Sequence, residues 1–188
     1  MARALERSSN ELLASFDDAR MEDIASAVGV SRTSLYYYFP SKGDVLDYLL
    51  RSMLRELLWE THRAAAGSSN PSARLAAVIR AHLTFLNDHP TASQYLLAHL
   101  GRAGLVSDIA SHMYEAFAGP TRALIADGAS DDSLQPLVGE ELATTALLGA
   151  VLLVSCRSLL ADGCIDVDGT MATIRPMLWH GIAPPRRE

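Results

Sequence analysis

With 188 residues, 49% of them apolar, the chain has room for one large domain or two small ones around a substantial core. Its 16 basic and 22 acidic residues leave a formal charge of -6, which excludes non-specific coating of nucleic acid but not contact with DNA through one small face. Aromatics are only 6%, strand-forming runs are scarce, and Ala and Leu dominate, so the expected class is all-α.

A first helix is predicted from Ala2 to Ala14, with Leu5, Leu12 and Phe16 closing over the segment that follows. Met1 to Leu13 has no apolar signal core, which points to a reduced, cytoplasmic setting. Met21, Ile24, Ala25 and Val28 fall at helical spacing and make one apolar face. Asp17 or Asp18 is positioned to cap that helix. Gly29 then supplies a residue that tolerates positive φ, and Ser31 can cap the next helix. In that helix Leu35 and Phe39 face inward, and Pro40 stops it. Two short helices joined by a tight turn are the layout of a helix-turn-helix, whose second helix enters the DNA major groove.

The chemistry of the segment suits that task. No Asp or Glu occurs from Ile24 to Gly43, whereas Arg32 and Lys42, the only lysine in the chain, are present. A phosphate-facing surface needs donors, and Ser, Thr and Tyr hydroxyls provide them without the desolvation cost of a full charge. Arg32, Thr33, Ser34 and Tyr37 are therefore expected to face base edges or nearby phosphates. Tyr36, Tyr38 and Lys42 are expected to anchor the DNA backbone, with Ser31 at the helix start. Arg20 and Met21 stand where the N–H groups of the preceding helix can meet a phosphate.

A long helix is predicted to open at Asp44 and carry Val45, Leu46, Leu49, Leu50, Met53, Leu54, Leu57 and Leu58. Asn70-Pro71 reads as a cap followed by proline at the first helical position. Helices are expected from there to Asp88, from Thr91 to Leu100, and from Leu105 to Ala126 with a kink at Gly119-Pro120. Leu137 to Ala161 is the most apolar helix, uncharged from Leu142 through Cys156. That run is short of the ~20 residues a bilayer requires, and Arg157 closes it, so no membrane span is expected. Asp166 or Asp168 caps a last helix. Cys156 and Cys164 read as packing thiols.

The N-terminal segment resembles the tetracycline-repressor (TetR) family of bacterial transcription regulators. Ser15 to Ala25 is similar to the family's link into its second helix, and Gly29-Val30-Ser31 to its turn. Leu35-Tyr36-Tyr37-Tyr38-Phe39 with Ser41-Lys42 is similar to the end of its recognition helix. Ser15 and Ala19 depart from the family's usual Gly and Thr. The resemblance covers roughly Leu5 to Leu50 and implies a three-helix DNA-binding domain at residues 1–43. An effector-binding and dimerisation domain would follow at residues 44–188.

It further implies a homodimer in which the last two helices pair with their symmetry mates, through Ala143, Leu147, Ala150, Val151, Val154, Ile174, Met177 and Leu178. A two-fold dimer presents two recognition helices ~34–36 Å apart to a palindromic site. The helices from Pro71 to Ala126 would enclose a small-molecule effector. Trp59, His82, Phe85, Tyr95, His99, His112, Met113 and Phe117 are the candidate lining, mostly apolar with a few donors. The six histidines form no cluster at metal-ligand spacing, and no cofactor fingerprint or catalytic motif occurs. The reading is thus a ligand-responsive DNA-binding regulator and repressor, not an enzyme. The alternatives are a small helical enzyme or carrier, or a helical protein-interaction module.

Overall fold

The computed structural model describes residues 2–67, 70–99, 105–134 and 139–180, and every regular element among them is a helix. The predicted first helix is two, α1 (Ala2–Arg7) and α2 (Ser9–Ala14). They are broken at Ser8, whose backbone leaves the helical well at φ -96°, ψ 8°. α3 (Met21–Ala27) begins without help from Asp17 or Asp18. Asp23 reaches back instead, its Oδ2 accepting the Arg20 N–H at 2.8 Å. Gly29 takes φ +69°, and the Val30 N–H closes the turn onto the Ala25 carbonyl at 2.9 Å. Ser31 caps α4 (Arg32–Tyr38), its Oγ accepting the Ser34 N–H at 3.1 Å.

α5 (Lys42–Ala65) starts two residues before the predicted Asp44 because Ser41 and Asp44 form a reciprocal cap. The Ser41 N–H donates to Asp44 Oδ2 at 2.8 Å, and the Asp44 N–H to Ser41 Oγ at 3.3 Å. Asn70 caps α6 (Pro71–Asp88) through the Ala73 N–H at 3.1 Å. α7 (Pro90–His99) and α8 (Leu105–Ser130) follow. α8 continues through Pro120, so the predicted interruption is absorbed within one helix at the loss of one N–H from its ladder. α9 (Glu140–Asp162) ends on Gly163 at φ +72°. Of the two candidate caps for α10 (Val167–His180), Asp166 serves, accepting the Gly169 N–H at 3.0 Å.

The chain divides into two compact units. The first comprises Met1–Glu56 and His89–His112. Its core is Leu5, Leu12, Leu13, Phe16, Ile24, Leu35, Val45 and Leu49, with α7 packed on α2. Each such side chain contributes about 1.5–3 kcal/mol by leaving water. Tyr48 Oη and Ser52 Oγ on α5 both donate to Glu6 Oε1, at 2.8 and 2.9 Å, and tie α1 down. Burial, then the Glu6 carboxylate, raises the Tyr48 pKa. The second unit comprises Leu57–Asp88 and Met113–Glu188. α6 packs on α9 and α10 around Leu75, Val78, Ile79, Leu83, Phe117, Leu124, Val151 and Leu159. Arg80 pairs with Asp168 at 2.6 Å, and Asn87 Oδ1 accepts the Ile165 N–H at 2.8 Å.

Candidate nucleic-acid interface

α4 presents its outer face because Leu35 alone of its side chains is buried. Thr33, Ser34, Tyr36, Tyr37 and Tyr38 are all exposed, and Tyr37 most of all at 82%. An aromatic ring left so open in a protein with few aromatics adds nothing to the core. The Tyr37 and Tyr38 rings meet edge to face at 5.0 Å and brace one another. Arg32 Nη1 bonds Glu22 Oε1 at 2.8 Å, and its guanidinium lies over the Tyr36 ring at 5.4 Å. Both partners of that ion pair are exposed, so it is worth under about 1 kcal/mol and can open for a phosphate or base. Ser31 shares a hydroxyl contact of 2.8 Å with Ser34.

Lys42 is placed otherwise than its sequence position suggests. Its Nζ donates to the carbonyls of Phe16, Asp17 and Ala19 at 2.8, 2.9 and 3.0 Å. An ammonium has three N–H groups, and all three are engaged inside the protein. Its Nζ also stands over the Phe16 ring, 5.2 Å from the centroid. At the start of α3, Arg20 is exposed, but the Met21 side chain is buried in the core. The Arg20 N–H is already spent on Asp23. Glu22, which holds Arg32, escaped sequence reasoning, although its place ten residues before Arg32 across the turn is the signal.

Of the candidate effector residues, the structure brings His82 and Phe117 together, ring centroids 4.7 Å apart and nearly perpendicular. Phe85 is buried in the same unit. Trp59 is 61% exposed, with the Arg63 guanidinium over its ring. Tyr95 belongs to the first unit, its ring edge-on to Phe16 and its hydroxyl 3.2 Å from Asp17 Oδ1. The side chains of His99, His112, Met113 and Leu178 lie outside the described residues.

The proposed pairing residues divide as well. Leu147, Val151 and Ile174 are buried within their own chain. Ala143, Ala150 and Val154 lie half-buried on the flanks of α9, and Met177 is exposed. The open face of α9 is another set: Leu142, Ala146, Gly149, Leu153, Cys156 and Leu160, alternating four and three apart. Leu153 and Leu160 are 73% and 75% exposed. That spacing keeps one stripe on one side of the helix, opposite the buried Thr144, Leu148, Val151, Ser155 and Leu159. The 4-3-4-3 spacing was the sequence signal for it.

A capped two-helix turn, a recognition helix with an exposed face of hydroxyls and rings, and an otherwise all-helical chain define a helix-turn-helix protein. Residues 11–49 match the model of the bacterial regulatory proteins, tetR family. The transcriptional regulator RutR of Escherichia coli K12 is 32% identical over 128 residues, 68% of this chain. The chain spans only 60% of the length of that relative. A TetR/AcrR-family regulator from Thermobifida fusca superposes with a TM-score of 0.72 at 26% identity, over 95% of this chain and 98% of the other. Bacillus subtilis FadR, solved with stearoyl-CoA, shares the fold with a TM-score of 0.84 at 16% identity, over 97% and 100%. The chain belongs to the tetR family of bacterial regulatory proteins.

Proposed function

We propose that the protein is a dimeric, sequence-specific operator-binding regulator, a repressor released from a palindromic DNA site by a small molecule, acting in the bacterial cytoplasm and not as an enzyme. The observation that carries this is the exposed outer face of α4, where Thr33, Ser34, Tyr36, Tyr37 and Tyr38 project from a helix held by a single buried leucine. Hydroxyls and ring edges on a short helix suit the major groove, and Arg32 adds a bidentate donor once it leaves Glu22. The second copy is supported by the apolar stripe on α9. That helix has the length and apolarity of a membrane span, yet its opposite face is packed on its own chain. A single stripe with coiled-coil spacing fits a symmetry mate better than lipid. Effector binding releases DNA only if the effector prefers the conformation whose recognition helices miss the half-site spacing.

Selection of bound duplexes from a random DNA pool tests the proposal, with Tyr37→Ala as control. An enriched palindrome that is lost with the control supports it. No enrichment at low salt from a folded, ligand-free dimer overturns it and favours a helical carrier or interaction module.

A further inference from the structure

The second unit holds buried polar atoms that its own fold leaves unanswered. His82 on α6 is 4% exposed, and among the described residues no protein donor reaches its Nε2. Its Nδ1 lies 3.0 Å from the Val78 carbonyl. A carbonyl only accepts, so Nδ1 carries the proton and the neutral ring offers a bare lone pair at Nε2. Burial pushes the imidazole down to about 4, against a small opposing effect of the Val78 carbonyl, so the ring is neutral at physiological pH. The Phe117 ring stands nearly perpendicular to the imidazole, centroids 4.7 Å apart. One turn beyond Phe117 on α8, Thr121 is fully buried, and its Oγ1 also lacks a protein partner among the described residues. Between these two, Pro120 supplies no N–H to the Ala116 carbonyl. Buried polar side chains nearly always find partners, so such acceptors on adjoining helices mark a place made for something else.

We propose that His82 Nε2 and Thr121 Oγ1, walled by Phe117, bind an uncharged, largely apolar molecule through its O–H or N–H group. This deepens the regulator reading and rests on it for the word effector. The chemistry is specific in three respects. A bare imidazole nitrogen requires a donated proton, so the terminal methyl of a plain acyl chain does not satisfy it. Among the described residues of this unit no buried side chain is a Lys, Arg, Asp or Glu, so a charged group would enter without a buried counter-ion among them. Thr121 can give or take a hydrogen bond, so a hydroxyl or an amide, which does both, completes the pair.

The test uses matched small probes on the whole chain without DNA: phenol against methyl phenyl ether, and 1-hexanol against its methyl ether. Affinity is followed by thermal shift and by the ¹⁵N resonance of His82 Nε2. The donor probes are expected to bind about tenfold or more tightly than their ethers and to move the Nε2 resonance. His82→Phe should erase the preference while keeping the apolar contacts. Should that variant fail to fold, the Nε2 resonance of the unmodified protein decides alone. Equal binding of alcohol and ether, an Nε2 resonance that does not respond, or a preference that survives His82→Phe would overturn the proposal and assign the polar atoms to internal water. Because DNA is absent from the measurement, probe binding without operator enrichment would count against the regulator reading only. Operator binding with no probe preference would count against the ligand class only.

Discussion

Lys42→Met separates two roles that predict opposite results. As a backbone anchor on DNA, the lysine would add one phosphate contact per subunit. Its loss from a dimer would then lower the slope of log affinity against log salt by about 1.8. The structure gives it different work: its ammonium gathers the Phe16, Asp17 and Ala19 carbonyls, at 2.8, 2.9 and 3.0 Å, and so fixes the link from α2 into α3. Hydrogen bonds from a charged donor are worth about 1.5–3 kcal/mol each, but they are not additive, and freed carbonyls recover water where they are exposed. A total of about 2–3 kcal/mol is reasonable for a cluster half out of water. At about 2–4 °C per kcal/mol for a chain of this length, the melting temperature should fall by about 5–10 °C. Methionine keeps an unbranched apolar stem and removes the ammonium, with both its hydrogen bonds and its place over the Phe16 ring, so the loss reports on the charged group. Thermal unfolding and operator titration at several salt concentrations measure both quantities. The expected result is a lower melting temperature with an unchanged salt slope. An unchanged melting temperature with a slope flattened by about 1.8 would refute the clamp and restore the phosphate contact.

Tyr37→Ala should weaken operator binding about tenfold or more by removing a hydroxyl that can donate to a phosphate or base edge. Its unfolding free energy should stay within about 0.5 kcal/mol of the unmodified protein's, since the ring is 82% exposed; a clear loss of stability would mean the ring packs. Leu153→Glu should convert the dimer to monomers in sedimentation without loss of fold, because an unpaired charge in a closed apolar seam costs about 3–5 kcal/mol. Persistence of the dimer would place the interface elsewhere. His82 makes stability pH-dependent in a definite direction. Its folded pKa of about 4 lies below the ordinary 6.5, so its neutral form stabilises the fold above 6.5 and that contribution is lost as pH falls toward 4. Between pH 7.5 and 5.0 the loss is about 2 kcal/mol. Urea unfolding at the two pH values should show it in the unmodified protein and not in His82→Phe, and an identical drop in both would contradict the buried neutral ring.

The DNA-binding head was legible because its signals are local. Gly29 needs a positive φ, Ser31 needs a partner three residues on, and Leu35, which with Phe39 is predicted to face inward, is buried, while Phe39 is half-buried. Each is a short-range rule obeyed in the structure. Lys42 was misplaced by the same kind of reasoning. Only the fold reveals that carbonyls 23 to 26 residues earlier converge on it. Asp23, not Asp17 or Asp18, holds the start of α3 for a related reason. A side chain reaching back from inside the helix competes with one placed ahead of it, and spacing alone does not rank the two.

α9 marks the limit of periodicity. A helix apolar on all sides has two stripes that read equally well as its inner face, because the pattern contains no polar side to exclude one of them. Leu147 and Val151 satisfy helical spacing, and so do Leu142, Leu153 and Leu160. What separates them is which stripe its own chain covers. Yet the two stripes are not chemically alike. The covered one carries Thr144 and Ser155, both fully buried and without a protein partner among the described residues. The open one contains only Leu, Ala, Gly and Cys. Hydroxyls inside and hydrocarbon outside invert the usual arrangement of a surface helix. An isolated subunit would thus leave its most apolar stripe in water while burying hydroxyls, and pairing of two such stripes resolves the first half of that inversion. The second half remains within the subunit, where the Thr144 and Ser155 hydroxyls join His82 Nε2 and Thr121 Oγ1 as buried polar groups without a protein partner among the described residues.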